Sequence, residues 1–79
     1  MLYATAAHID LDALATNARH LRTLAGDRAV CAAVKANAYG HGAVEVSRVL
    51  ESQGLADWLA VATVPEAIEL RGAGITLPI

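Results

Sequence analysis

Two short apolar runs, each followed by a stretch with helical spacing, constrain this chain more than any other feature. Ala29-Val30-Cys31-Ala32-Ala33-Val34 is continuously apolar and too short to be a helix of its own. Such a run reads as a strand buried on both faces, which is how strands of parallel sheets read. A polar, glycine-bearing loop comes next, from Asn37 to Gly42. Beyond it lies a helical pattern with Ala43, Val46, Val49 and Leu50 inward, Glu45, Ser47, Arg48, Glu51 and Ser52 outward, and Gly54 at its end. The second run, Trp58 to Ala62, repeats the theme as another buried strand.

The flanking segments extend the alternation. Ala4 to Ile9 is a short apolar stretch that reads as a strand, and Asp10 then offers an N-cap, with Asp12 in the first helical turn. Leu11, Leu14, Ala15, Ala18, Leu21 and Ala25 keep helical spacing, with Asn17, Arg19 and Arg22 on the other face, and Gly26 stops the helix. Thr63 and Glu66 form a capping-box pattern with Pro65 in the first turn, and Gly72 and Gly74 close that helix. Ile75 to Ile79 reads as the start of a further strand. Helices and strands alternating at this spacing predict an α/β fold with a parallel sheet.

Composition limits what such a piece does alone. Its apolar fraction is 56% without glycine, whereas soluble domains reach about 45–50% with glycine counted. That excess predicts a part of something larger, or one half of an obligate complex. The net charge of -2 is scattered along the chain, so neither a basic patch for nucleic acid nor an acidic tail is present. Cys31 stands inside an apolar run and reads as a buried, inert thiol. No signal-like core precedes Asp10 and no run reaches the ~18 apolar residues of a membrane span, so the expectation is a soluble, cytoplasmic protein without a membrane partner.

Lys35 is the informative polar residue. It directly follows the first apolar run, at the carboxyl end of the predicted strand, where reacting groups gather in parallel α/β folds. A lysine held in apolar surroundings favours its neutral amine, the form that Schiff-base chemistry requires. From position alone it reads more simply as a residue marking the strand end, with its charge in water. Tyr39, four residues on, is either a phenol for a phosphate or a proton, or a packed aromatic with a wet hydroxyl. His41 between Gly40 and Gly42 reads as a solvated or structural loop histidine, and Asn37 as a turn stabiliser. Gly40 and Gly42 do not complete a dinucleotide fingerprint, and His8, His20 and His41 lack metal-ligand spacing.

The run Ala33-Val34-Lys35-Ala36-Asn37-Ala38-Tyr39-Gly40-His41-Gly42 resembles the pyridoxal 5'-phosphate (PLP) attachment signature of bacterial alanine racemases. Ile9-Asp10-Leu11-Asp12-Ala13-Leu14 before it, and Ala60-Val61-Ala62-Thr63, Glu66-Ala67 and Leu70-Arg71 after it, are similar to the same family, so the likeness covers essentially the whole chain. The resemblance implies a PLP-binding (β/α)8 TIM barrel followed by a β-rich C-terminal domain, working as a homodimer. The activity it implies is the interconversion of L- and D-alanine, supplying D-alanine for peptidoglycan. By position, Lys35 would form the internal aldimine with PLP and act as one of two proton-transfer bases, and Tyr39 would contact the PLP phosphate. For His41 only a place in the motif carries over.

A barrel takes about 200–250 residues, so residues 1–79 are expected to be the N-terminal part of the PLP-binding domain, roughly two and a half units, with the rest of the barrel and the C-terminal domain outside it. The second base, in the family a tyrosine of the partner subunit, and the other cofactor ligands are expected beyond Ile79. The polypeptide alone is expected to be inactive and poorly folded. Alternatives are a serine or broad-specificity racemase of the same fold, a non-catalytic PLP-binding protein of cofactor homeostasis, or a small α/β interaction module in which Lys35 is incidental.

Overall fold

The computed structural model describes residues 9–79. The strand expected from Ala4 falls outside these residues except for Ile9, which belongs to no regular element. Helix α1 (Leu11–Ala25) begins where Asp10 accepts the Ala13 amide through its side chain at 2.9 Å and ends at Gly26. Both limits follow the sequence, because a carboxylate and a positive-φ glycine satisfy backbone groups that the helix itself leaves unpaired.

Strand β1 (Cys31–Ala33) pairs in parallel with β2 (Trp58–Ala60), in the register Cys31 to Trp58, Ala32 to Leu59 and Ala33 to Ala60. The α/β reading therefore holds, but the strands are shorter than the apolar runs and are not buried on both faces. Leu59 is buried, while Cys31, Ala33, Trp58 and Ala60 are exposed. The thiol of Cys31 is accordingly on the surface, not in a core. Leu21, expected inward on α1, is 62% exposed.

Helix α3 (Ala43–Ser52) is the centre of the packing, with contacts to both α1 and α4 (Val64–Gly72). Its buried positions are Ala43, Val46, Ser47 and Leu50. Ser47, expected outward, lies one helical turn from Ala43 on the inward stripe and is fully buried, with no partner for its hydroxyl among the described residues. Val34, Leu55, Leu59, Leu70 and Ile75 complete the core with α3, and each large aliphatic side chain contributes about 1.5–3 kcal/mol by leaving water.

The segment Ile75–Ile79 is not the strand its apolar character suggested. It makes one bond to the sheet, from the Leu59 amide to the Pro78 carbonyl at 2.8 Å. The Ile75 amide donates to the Leu70 carbonyl at 3.1 Å, and side chains take four further backbone groups. Arg71 donates to the carbonyls of Ile75 and Leu77 at 2.8 and 2.7 Å, and Glu51 accepts the amides of Thr76 and Leu77 at 2.8 and 2.9 Å. Pro78 has no N–H to give a ladder.

Candidate functional site

The chain leaves β1 through Val34, whose amide donates to the Ala60 carbonyl of the neighbouring strand at 2.9 Å. Lys35 is the next residue. It stands at the carboxyl end of the parallel pair, as the sequence implied, but it is exposed rather than enclosed in apolar surroundings. The described residues leave its amine open to whatever approaches that end of the sheet.

Beyond Val34 the backbone winds in an uncommon direction. The element α2 (Lys35–Tyr39) is a single helical turn in which Ala36, Asn37, Ala38 and Tyr39 have φ of 52°, 55°, 55° and 54°. These are left-handed values, which cost an L-residue other than glycine about 1–2 kcal/mol each. Four in succession persist only where the surroundings hold them. Winding the chain this way keeps Lys35 and Tyr39 at the same end of β1 instead of letting an extended chain carry them apart. Tyr39 is 61% exposed, so its ring is not a core aromatic and its hydroxyl is available.

Several bonds hold the turn. Ala38 is buried and its amide donates to the Val34 carbonyl at 2.9 Å. Asn37 fastens the exit: its side-chain oxygen accepts the Ala43 amide at 2.8 Å and its carbonyl accepts the Gly42 amide at 2.9 Å. This is the turn-stabilising part expected of it. His41 Nδ1 lies 2.9 Å from the Ala38 carbonyl, and since a carbonyl only accepts, Nδ1 is the donor. That bond gives His41 a structural part in the turn.

Glu66 is the member that sequence reading understood only by half. The capping box is present: Thr63 and Glu66 exchange the expected bonds, and Oε1 of Glu66 also accepts the Ala62 amide at 3.0 Å. Its second oxygen, Oε2, reaches across the sheet and accepts the Ala36 amide at 2.7 Å. The Ala36 bond is the largest influence holding the Glu66 carboxyl below its ordinary value, helped by Thr63 and Ala62 and opposed by partial desolvation. No local pattern announces a contact between residues thirty positions apart.

A cleft of about 480 Å³ lies between α1, β1 and α3. Its lining includes Leu14, Leu21, Val34 and His41 but neither Lys35 nor Tyr39, so it is not the place where the two candidate site residues meet.

Comparison with known proteins agrees with the geometry. Residues 9–79 match the family model described as alanine racemase, N-terminal domain. The alanine racemase of Cutibacterium acnes is 66% identical over 71 residues, which is 90% of this chain and 19% of that protein. The crystal structure of alanine racemase from Oenococcus oeni superposes with a TM-score of 0.84 at 39% identity, over 96% of this chain and 21% of that one. The alanine racemase of Clostridium difficile 630 gives a TM-score of 0.84 at 51% identity, over 90% of this chain and 19% of that chain. The chain thus spans about a fifth of the length of the relatives it matches.

Proposed function

This chain belongs to the alanine racemase N-terminal domain family, whose fold begins a (β/α)8 barrel, and from that membership we propose that it supplies the cofactor-holding lysine of a PLP-dependent alanine racemase. The observation that carries the reading is Lys35, an exposed primary amine set directly after a parallel strand by a turn of unusual handedness. Relatives named alanine racemase favour alanine over serine as the substrate.

The residues present suit the cofactor. An aldehyde needs a reachable amine, and a phosphate needs a donor such as a phenol; Lys35 and Tyr39 offer both from one turn. When bound, PLP supplies an electron sink for the charge left at Cα after a proton departs. In this reading Lys35 Nζ would be the group that holds the cofactor covalently. The same Nζ would take or return the Cα proton on one face of the substrate. Tyr39 Oη would hold the cofactor's phosphate by donating to it. Inverting a stereocentre demands a proton group on the opposite face, which we assign to a tyrosine of the second subunit of a homodimer, beyond the 79 residues. In this reading residues 1–79 are the N-terminal part of the PLP-binding barrel domain, and the enzyme supplies D-alanine for peptidoglycan in the cytoplasm. No described helix is long and apolar enough to cross a membrane.

Borohydride reduction of the intact protein with PLP, followed by peptide mapping, tests the reading. The label is expected on Lys35 and is expected to vanish in Lys35→Ala, with racemisation falling by about 10²–10⁴-fold or more. Covalent trapping of PLP that survives this substitution overturns it.

A further inference from the structure

We propose that Glu66 is a positioning residue for the Lys35 amine, acting through the Ala36 amide that its Oε2 accepts. The proposal rests on the reading of Lys35 as the cofactor lysine and adds to it a residue of the second strand–helix unit.

The geometry divides the Glu66 carboxylate into two tasks. Oε1 serves α4, accepting the amides of Ala62 and Thr63 and the Thr63 hydroxyl at 3.0, 2.9 and 3.0 Å. Oε2 serves the lysine-bearing turn, at 2.7 Å from the Ala36 nitrogen. That nitrogen belongs to the peptide joining Lys35 to Ala36, so fixing it fixes the plane from which the lysine side chain departs. The turn beginning at Ala36 has left-handed dihedrals at four ordinary residues and relaxes unless it is held. Its other clamps act elsewhere: Asn37 and Gly42 fasten its exit, and Ala38 bonds back to Val34. Glu66 is the side chain that fastens its entry, adjacent to the reacting amine, and a charged acceptor makes the stronger kind of bond.

Gln serves the capping box as well as Glu does. Glu66→Gln therefore keeps an oxygen for Ala62 and Thr63 but turns an NH2 group toward the Ala36 donor. Thr63→Val does the reverse, removing the cap hydroxyl while leaving the Ala36 bond. Both variants are to be made in the intact protein. Amide hydrogen exchange at Ala36 is read without cofactor, and PLP affinity is read from the visible absorption of the bound cofactor. Glu66→Gln is expected to speed exchange at Ala36 and to weaken PLP binding, each by about tenfold. Thr63→Val is expected to lower the melting temperature and leave both readouts within about twofold.

Unchanged exchange at Ala36 in Glu66→Gln overturns the proposal, as does faster exchange with PLP affinity within twofold of the native value. Equal effects in Thr63→Val also overturn it, because they assign the whole effect to the helix cap. If the native protein fails to trap PLP at Lys35, the functional reading falls and takes this proposal with it. If only the Glu66→Gln result fails, the functional reading stands.

Discussion

Ala36 and Ala38 have nearly the same dihedrals, φ 52° and 55°, yet their methyl groups meet different surroundings. Ala36 is exposed, so its side chain bears the left-handed penalty with no burial to offset it. Ala38 is 7% exposed and belongs to the core. Glycine relieves the conformational penalty at both places, but at Ala38 it also removes a buried methyl worth about 0.8 kcal/mol. Ala36→Gly is therefore expected to stabilise the intact protein by about 1 kcal/mol, and Ala38→Gly to leave it near neutral. Urea unfolding of the two variants checks the difference. Equal gains at both sites would show that the handedness of the turn, not the burial of one methyl, decides the outcome.

Between elements, two carboxylates besides Glu66 tie distant segments together. Asp57, just before β2, accepts both terminal nitrogens of Arg22 on α1, one of them at 3.0 Å, and the Val30 amide at 2.8 Å. Glu51 on α3 gathers the amides of Thr76 and Leu77 and the Thr76 hydroxyl. The Arg22 guanidinium and then the Val30 amide hold Asp57 below its ordinary 3.8, and the Thr76 hydroxyl and amide hold Glu51 below its ordinary 4.5. As pH falls through these values the unfolded chain takes up protons before the folded one does. Stability from both groups is thus complete above the ordinary values and is lost on acidification. Urea midpoints of the intact protein are expected to be level near neutrality and to fall below about pH 5, less steeply in Asp57→Asn. An acid limb as steep in that variant as in the native protein would remove Asp57 from the account. The same two residues mark how far sequence reading reaches. Helix limits at Asp10, Gly26 and Thr63, the parallel order and the position of Lys35 are local signals and were legible. Asp57 with Arg22, Glu51 with Thr76 and Glu66 with Ala36 join residues 25 to 35 positions apart and leave no local trace. The left-handed turn was hidden for another reason: Ala36, Asn37, Ala38 and Tyr39 contain no glycine, the residue by which such a backbone announces itself.

As a whole the described chain keeps a real core yet leaves large apolar side chains in water. Leu21, Leu24, Trp58, Val64 and Ile68 are 62%, 71%, 51%, 71% and 64% exposed. Its sheet has only two strands among the described residues, fewer than a sheet usually needs for independent stability. The apolar excess noted in the sequence thus lies partly on surfaces that, in a (β/α)8 barrel, would face neighbouring strands and helices. Hydrophobic burial must offset about 1–2 kcal/mol of backbone entropy for each ordered residue, and these uncovered faces contribute nothing toward it. The 79-residue polypeptide on its own is therefore expected to melt broadly, to bind a dye that reports exposed apolar surface, and to show no racemase turnover with added PLP and alanine. Calorimetry and dye fluorescence check the first two expectations, and a chiral assay of alanine checks the third. A sharp, cooperative transition without dye binding would show that Val34, Leu50, Leu59, Leu70 and their neighbours are a sufficient core, and that the exposed side chains are ordinary surface.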